Sequence, residues 1–301
     1  MFNYTLYNLK ISSEVELSGL EKFCGDSSIC DLKITLGDAP QKLGCPPLLK
    51  RPCTEMAENE FIFSAEKLGA RFYLRNGDEI IVDKNCFKDN RAVSMHLLGS
   101  VMGAALYMRD HIPMHASAVL TERGAVLFVG KSGVGKSTTA CALRQKGYKV
   151  ITDDVAPISL DSGRAHVLTG PSQLKLWEDS ISMTGIDDLE KIRIRDAFNK
   201  YYINTTDKLE KDRYPVFKII CLAACNHSGF KLEENNNANG KVNFLKNNTY
   251  RRAYVDGLNR RRQHFQTMVT LARLPMVRFT RTHNKGDFSA FISKVEEVIL
   301  K

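Results

Sequence analysis

The chain has no paired-cysteine motif, no long apolar run and no internal repeat. Its eight cysteines include no CxxC pair and lie scattered between Cys24 and Cys225, a distribution that fits neither a zinc site nor a disulfide framework. No apolar run approaches the roughly 20 residues needed to cross a bilayer, and the start of the chain lacks a basic region followed by an apolar core. We therefore expect a cytoplasmic protein with no membrane partner.

Charge of one sign is in excess, but a nucleic-acid signature is missing. The 43 Lys and Arg residues against 34 Asp and Glu residues give a formal net charge of +9, which favours nucleic acid, phosphates or acidic peptides as partners. The sequence has no helix-turn-helix, zinc-finger or RNP motif, and its basic residues are scattered apart from Arg251–Arg252 and Arg260–Arg262. We expect no nucleic-acid partner.

Length and patterning predict two domains of the α/β or α+β class. Among the 301 residues, short alternating segments dominate from Phe2 to about Asp83, and Asn76-Gly77 is a strong hairpin signal. Apolar residues then recur at helical spacing from Asn90 to Asp110. The pattern predicts a β-rich N-terminal domain over residues 1–90, a bridging helix over 91–110 and a second domain over 111–301.

The second half alternates strands and helices. HVLTG, FKIICLAAC and PMVRFT have strand composition, and the Asn-rich stretch EENNNANGK is predicted as a hairpin tip. A final helix is expected after Gly286, with Asp287 as its N-cap and a buried stripe running from Phe288 to Ile299.

A complete G-x4-GK[ST] motif starts at Gly130 and ends at Ser137, between the strand-like AVLFV and a helical stretch. Glycines let backbone amides approach phosphate oxygens, Lys136 supplies a positive charge for the β- and γ-phosphates, and the Ser137 hydroxyl can ligate Mg²⁺. The motif predicts a site for ATP and Mg²⁺. Its nucleotide-binding residues are Gly130, Lys131, Ser132, Gly133, Val134, Gly135, Lys136, Ser137 and Thr138.

Two carboxylates follow the P-loop helix and the next strand, in YKVITDD. Asp153 and Asp154 would lie at the carboxyl end of that strand, where ligands of open α/β sheets gather. One could hold Mg²⁺ while the other accepts a proton from an attacking hydroxyl, although an acidic turn is the simpler alternative. His115, on the strand before the P-loop strand, would on its own more often be a hydrogen-bonded core histidine.

Taken together, HASAV, GKSGVGKST and VITDD resemble the catalytic core of HPr kinase/phosphorylase and its relatives. His115 lies 21 residues before Lys136 and Asp153 lies 17 residues after it, which is similar to the spacing in that family. The resemblance implies an HPr-kinase-like P-loop domain, with Asp153 as acid/base, Asp154 binding Mg²⁺ and His115 assisting near the transferred phosphoryl group. It also implies possible assembly into homo-oligomers.

The segment GPSQLKLW departs from HPr kinases proper. It resembles divergent kinases of biosynthetic clusters, including those that phosphorylate the C-terminal serine of lasso-peptide precursors. The resemblance therefore implies an ATP-dependent serine kinase acting on a peptide or small protein. An HPr(Ser) kinase/phosphorylase in carbon regulation and a non-catalytic ATP-binding regulatory module are the two alternatives.

Three further residues are candidate substrate contacts. Lys175 could reach a phosphate or a substrate carboxylate, or could be an exposed strand lysine beside a core Trp177. Arg251 and Arg252 could clamp the transferred phosphate, or could lie on a solvated helix face.

Overall fold

The computed structural model describes residues 1–18, 20, 30–65, 70–85, 90–171, 173–186, 191–195, 198–205, 207–224, 229–234, 237–281 and 288–301. These residues form two compact units. The first unit is Met1–Pro113 with Tyr250–Phe265, and the second is Met114–Thr249 with Gln266–Lys301. Helices occur together with several β-sheets, which is the mixed α and β architecture that the sequence predicts.

The first unit is built on an eight-stranded sheet. Its strands are β1 (Phe2–Leu6), β2 (Leu9–Ser13), β3 (Leu32–Gly37), β4 (Leu49–Arg51), β5 (Thr54–Ala57), β6 (Glu60–Ala65), β7 (Ala70–Arg75) and β8 (Glu79–Asp83). They are arranged in the order β1-β2-β3-β8-β7-β6-β5-β4. The pairs β2–β3 and β3–β8 are parallel and the other pairs are antiparallel.

The turn between β7 and β8 contains Asn76 and Gly77. Their φ angles are 52° and 74°, both positive, as a type I′ turn requires. The two strands are antiparallel, with Arg75 opposite Glu79. The hairpin prediction from this dipeptide is confirmed.

A helical segment follows the sheet. It consists of α1 (Asn90–His96), a π-helical turn (Leu97–Val101) and α2 (Met102–Met108). Most of the apolar residues that suggested a helix are buried, namely Val93, Leu97, Val101, Ala104, Ala105 and Met108. The segment belongs to the first unit and is not a separate bridging helix as its pattern predicts.

A second helical segment of the first unit comes from far along the chain. Helix α6 (Ala253–Gly257) carries Tyr254, whose ring lies 5.2 Å from that of Phe61. The buried Arg260 donates to the backbone carbonyl of Tyr107 at 2.9 Å. Because of these contacts, Tyr250–Phe265 packs with the first unit, so the second unit is not the continuous segment 111–301 that was expected.

The second unit alternates strands and helices. Its strands are β9 (Ile112–Met114, beginning in the first unit), β10 (Ala116–Thr121), β11 (Gly124–Val129), β12 (Lys149–Thr152), β13 (Ala156–Asp161), β14 (Arg164–Leu168), β15 (Gln173–Trp177), β16 (Lys191–Arg195), β17 (Phe198–Asn204), β18 (Arg213–Ala224), β19 (Phe230–Glu234) and β20 (Met276–Arg281). Its helices are α3 (Lys136–Gln145), α4 (Glu178–Thr184), α5 (Ala238–Asn247), α7 (Arg261–Ala272, beginning in the first unit) and α8 (Phe288–Leu300).

The main sheet of this unit has the order β12-β10-β11-β18-β14-β13-β9, with β20 paired to β18 and β19 to β20. Strands β11, β18 and β20 are parallel to one another, so their carboxyl ends meet at one edge. A smaller antiparallel sheet has the order β15-β17-β16. The P-loop leaves the end of β11 and leads into α3, in the strand-loop-helix arrangement that the motif requires.

The Asn-rich stretch is not a hairpin tip. The structure places helix α5 there, with the Asn237 side chain as its N-cap, accepting from the backbone N–H of Gly240 at 3.0 Å. An Asn side chain satisfies an otherwise unpaired amide of the first turn, so it favours a helix start as readily as a turn. The hairpin prediction is therefore wrong.

The final helix has the predicted buried stripe. Phe288, Phe291, Ile292, Val295, Val298 and Ile299 are all buried in α8. They pack in one core with residues of α3 and of the main sheet. The predicted N-cap Asp287, with Gly286 before it, lies outside the described residues. Among the helices that the structure describes, none has both the length and the apolar character of a membrane span.

Candidate active site around the P-loop

The P-loop is held against its neighbours so closely that side chains are excluded at two positions. A Cβ on Gly130 would lie 2.4 Å from the backbone oxygen of Leu222 in β18. A Cβ on Gly135 would lie 2.5 Å from a guanidinium nitrogen of Arg281, and its φ of 98° also favours glycine. The bare backbone of the loop can therefore approach a ligand, as phosphate binding requires.

Lys136 is buried at the centre of this loop. Its Nζ donates to the backbone oxygens of Gly130 at 2.9 Å and Lys131 at 3.1 Å. Burial lowers the pKa of Lys136 from 10.5 to about 8, although Asp153 and Asp154 act in the opposite direction. Because water solvates this buried ammonium group poorly, a phosphate that binds beside it stabilises its charge strongly.

The first turn of α3 places three hydroxyl groups beside the loop. Thr138 is buried and donates to the Ser180 hydroxyl at 2.9 Å, and Thr139 donates to the backbone oxygen of Gly135 at 2.8 Å. Ser137 is half-buried, and Lys131 and Ser132 are exposed. The Ser137 hydroxyl is therefore accessible at the helix start, as a metal ligand must be.

Asp153 is a buried carboxylate with both oxygens in hydrogen bonds. Its Oδ1 accepts from the Ser117 hydroxyl at 2.6 Å, and its Oδ2 accepts from the backbone N–H of Lys175 at 2.8 Å. The residue is 4% exposed. This carboxylate ties β10 and β15 to the end of β12.

Asp154, the next residue, faces the cleft instead. Its φ is 69°, a left-handed conformation that turns the chain directly after Asp153. The Lys175 ammonium lies 2.8 Å from its Oδ2. Burial alone would raise the pKa of Asp154, but the charge and hydrogen bond of Lys175 hold that pKa well below its usual range. The carboxylate is therefore ionised at neutral pH.

His115 lies next to this pair. Its Nδ1 is 3.1 Å from the backbone oxygen of Asp154 and 3.5 Å from the Oδ1 of the same residue. Burial and the charge of Lys136 lower the pKa of His115 below its usual 6.5, against the effect of Asp154. A carbonyl oxygen can only accept, so Nδ1 carries a proton, and in the neutral ring Nε2 does not.

A narrow cleft of about 60 Å³ brings most of the predicted residues together. It is lined by His115, Ser132, Gly133, Gly135, Lys136, Ser137, Thr138, Asp154, Lys175, Leu176, Trp177, Ser180 and Lys200. Three lysines, Lys136, Lys175 and Lys200, and the carboxylate of Asp154 surround a small volume. Such an arrangement suits a reaction in which charge moves over a short distance.

Lys175 and Trp177 belong to the smaller sheet. The Lys175 ammonium pairs with Asp154 and lies 5.6 Å from the centre of the Tyr202 ring, so Lys175 is not an isolated surface lysine. Its contact with a phosphate or a substrate carboxylate stays a prediction. Trp177 is 45% exposed at the cleft, not in the core as the sequence suggested. On the paired strand, Lys200 lies over its ring at 5.7 Å.

Two cationic residues of the site are missing from the sequence prediction. Arg281 ends β20 and is half-buried against Gly135, with its guanidinium carbon 4.9 Å from the centre of the Phe291 ring. Lys200 reaches the cleft only through the pairing of β15 with β17. The position of Arg281 at the end of a strand was a usable signal, since ligands gather at such ends. Lys200 offered none.

Arg251 and Arg252 are placed elsewhere in the fold. Both belong to the first unit, where they line a surface cavity together with Arg51, Thr54 and Tyr254. The residues that line the P-loop cleft all belong to the second unit. Their predicted contact with the transferred phosphate stays a prediction.

The donor set of the cleft fits Mg²⁺. No three His, Cys, Asp or Glu side chains gather into a metal site within the part of the chain that is described. Mg²⁺ in nucleotide sites usually takes only one or two protein ligands, with phosphate oxygens and water supplying the rest. Ser137 offers a hydroxyl and Asp154 an ionised carboxylate on the same cleft, so these two residues could hold the ion.

Comparison with known proteins finds similar chains among the solved structures. No protein-family model matches the chain, and no curated protein matches it. Among solved structures, the HPr(Ser) kinase/phosphatase from Coxiella burnetii is similar over 62% of this chain and 97% of that chain, at 11% identity and a TM-score of 0.29. A likeness at this TM-score decides neither the fold nor the function, so the geometry around the P-loop carries the conclusions below.

Proposed function

We propose that this protein is an ATP-dependent phosphotransferase of the HPr-kinase type, which transfers the γ-phosphoryl group of ATP to a serine hydroxyl of a peptide or small protein. One observation carries the proposal. Lys136 of a complete P-loop, the ionised Asp154 and the neutral His115 line the same narrow cleft. A phosphate-binding cation, a metal-binding carboxylate and a proton acceptor are the groups that phosphoryl transfer uses.

The P-loop would hold the donor. Its backbone amides and Lys136 bind the β- and γ-phosphates, and the buried ammonium keeps them in one position. Ser137 and Asp154 would hold Mg²⁺, which when bound neutralises part of the phosphate charge. Arg281, against Gly135, adds a second fixed positive charge beside the loop.

His115 would accept the proton of the attacking hydroxyl. Its Nδ1 proton is engaged by the backbone oxygen of Asp154, which fixes the ring and leaves Nε2 as the basic nitrogen. The lowered pKa keeps the ring neutral at physiological pH, which a proton acceptor requires.

Asp153 then has a positioning role. The family resemblance assigns it the acid/base step, yet it is 4% exposed and both its oxygens already accept hydrogen bonds. By bonding the Lys175 backbone it fixes the strand whose side chain pairs with Asp154. The geometry supports His115 over Asp153 as the proton acceptor.

The size of the cleft bears on the acceptor. A cleft of about 60 Å³ favours a short side chain, such as the hydroxymethyl group of serine, over a bulky one. The exposed Trp177 and the neighbouring Lys200 stand at the same cleft and offer an aromatic face and a charge to the chain that carries the serine. A serine at the end of a peptide, as in a lasso-peptide precursor, would enter with the fewest obstructions.

The test is transfer from ATP with Mg²⁺ to a panel of HPr, serine-ended peptides including a lasso precursor, and free serine, with phosphoserine detected by mass spectrometry. The Lys136→Ala variant serves as the control. We expect phosphoserine on a peptide or small protein with the wild-type chain and none with the variant. Tight ATP binding with no phosphorylated acceptor and no ATP consumption would favour a non-catalytic binding module instead.

A further inference from the structure

The surface cavity of the first unit gathers three arginines. Arg51 ends β4, and Arg251 and Arg252 directly precede α6. All three residues are exposed and line the same cavity, whose volume is about 800 Å³. We propose that this cavity binds an acidic segment of the acceptor peptide or protein, at a docking site that shares no residue with the P-loop cleft. The inference rests on the proposed function only in calling the bound chain the acceptor.

The cavity has an excess of positive charge. Among the described residues that line it, Asp256 is the only acidic one, and its carboxylate already pairs with Arg261 at 2.5 Å. Burial raises the pKa of the Tyr254 phenol to about 12, while the charges of Arg251 and Arg51 act in the opposite direction. Both guanidinium groups are therefore close enough to Tyr254 for their fields to overlap in the cavity, and an anion placed there is attracted by both.

The backbone that carries Arg251 and Arg252 is held from two sides. The backbone N–H of Tyr250 donates to the backbone oxygen of Pro113 at 2.9 Å, and the Tyr107 hydroxyl donates to the backbone oxygen of Tyr250 at 2.8 Å. Arg251 itself has a φ of 50°, in the left-handed region that is uncommon for a residue with a side chain. The turn therefore presents both arginines from fixed positions, which lowers the entropic cost of binding a ligand.

The walls of the cavity suit a peptide. The cavity opens at the end of β4, which stands last in the order of its sheet and pairs with β5 alone among the described strands. An extended chain can add to such an edge through its backbone. Phe63 and Tyr254 are buried and line the same cavity, so they offer rings on which an apolar side chain can pack.

The arginines decide which peptide is bound. A guanidinium group binds a carboxylate through two parallel hydrogen bonds, a geometry that a lysine cannot supply. Carboxylates are also the anions that a peptide carries before it is phosphorylated. The combination of arginines, rings and a strand edge is therefore matched to a segment in which Asp or Glu residues lie near an apolar one.

The binding test uses the full chain without ATP. Fluorescence anisotropy compares a fluorescein-labelled peptide rich in Asp and Glu with the same peptide in which Asn and Gln replace the acidic residues. We expect Arg51→Gln/Arg252→Gln to weaken binding of the acidic peptide about ten-fold and to leave the neutral peptide unaffected. Cys53→Glu, at an exposed turn position that lines the cavity, keeps the arginines but adds a negative charge and should act in the same direction.

The matched control is Arg75→Gln/Arg91→Gln. It removes the same charge from exposed positions of the first unit that do not line the cavity, and should change binding by less than about two-fold. A transfer assay then uses a serine peptide with and without the acidic segment. Cys53→Glu should raise the KM for the peptide with the segment about ten-fold and leave transfer to the other peptide unchanged.

The outcomes separate the two proposals. If no acceptor is phosphorylated, the proposed function is contradicted, while the anisotropy still tests the cavity. Equal binding of the acidic and the neutral peptide, or equal weakening by the control, would overturn the docking site whatever the transfer assay shows. Weakened peptide binding with an unchanged KM would show that the bound chain is not the acceptor. If Arg51→Gln/Arg252→Gln slows transfer to both serine peptides equally, the arginines act on the transferred phosphate and the docking assignment is wrong.

Discussion

The two sides of the P-loop differ in size and in chemistry. On one side, a cleft of about 60 Å³ gathers Lys136, Asp154, Lys175 and His115. On the other, a cavity of about 950 Å³ is walled largely by small and aliphatic side chains and by the ring of Phe244, with polar groups at its rim. Fixed charges around a small volume act strongly on a reacting group, whereas a wide apolar cavity suits the binding of a larger, unreactive part of the ligand.

The two sides of the loop are therefore suited to different tasks. Two charged side chains of the cleft, Lys175 and Asp154, pair at 2.8 Å, and two backbone oxygens of the loop hold the Nζ of Lys136 in place. They therefore need little rearrangement during the reaction, which is the main source of electrostatic catalysis. Substitutions on the two sides should separate transfer from nucleotide affinity.

The largest effect is expected from His115→Gln, which changes only the cleft side. Loss of a proton acceptor should reduce the transfer rate about 10²- to 10⁴-fold while ATP affinity is kept. The wild-type rate should rise with pH through the pKa of His115, below 6.5, because only the neutral ring accepts a proton, and then level off. A variant that retains this rise in its pH–rate profile would exclude His115 as the base.

Lys136→Ala should affect both sides of the loop. Without its ammonium, the binding of ATP and of tripolyphosphate should weaken together, and kcat/KM for transfer should fall about 10²- to 10³-fold. Titration calorimetry and a transfer assay measure the two effects. Lys131→Ala, the exposed neighbouring lysine, is the control and should change both quantities little. Equal effects of the two substitutions would contradict the proposal that Lys136 is the lysine that binds the phosphates.

Arg281→Met should have an intermediate effect. Its guanidinium lies against Gly135, and losing a charged hydrogen-bond donor to phosphate costs about 1.5–3 kcal/mol, or about ten- to hundred-fold in transfer rate. Arg278→Met, on the same strand but lining the cavity, should instead weaken ATP binding and spare tripolyphosphate. An Arg281→Met enzyme with wild-type kinetics would show that this arginine is only structural.

The smallest effect is a pH dependence of phosphate binding. The pKa of Lys136 is about 8 in the free protein, and a bound phosphate would hold the residue protonated. Binding above pH 8 must therefore take up a proton, so ATP affinity should fall by up to ten-fold for each further pH unit. Calorimetry between pH 7 and 9.5 tests this, and an affinity independent of pH in that window would be inconsistent with the buried lysine.

The P-loop and the elements around it could be predicted from the sequence. The motif from Gly130 to Ser137 specifies strand, loop and helix by local chemistry, and the buried stripe of α8 follows from its apolar spacing. Pattern alone also brings Asp153 and Asp154 to the end of a strand. What it cannot show is that a left-handed turn at Asp154 sends the two carboxylates into different surroundings.

The remaining errors come from long-range contacts. Arg281 and Lys200 join the site through strand pairing across many residues, which no local pattern records. Tyr250–Phe265 joins the first unit because Tyr254 and Arg260 find partners there. The Asn-rich stretch is predicted as a turn because asparagine is common in turns. Asparagine is also favoured at helix N-caps, and only the packing of the following residues decides between the two structures.

The most direct measurement compares Asp154→Asn with Asp153→Asn in the transfer of radiolabelled phosphate from ATP to the acceptor. We predict that Asp154→Asn, which keeps a residue type tolerant of the left-handed turn, folds normally and binds ATP but transfers about 100-fold more slowly. Asp153→Asn should instead lower the free energy of unfolding by about 1–3 kcal/mol, because the amide NH2 that replaces one carboxylate oxygen cannot accept the buried hydrogen bond made there. Undiminished transfer by Asp154→Asn, together with its abolition in a stably folded Asp153→Asn, would contradict the account.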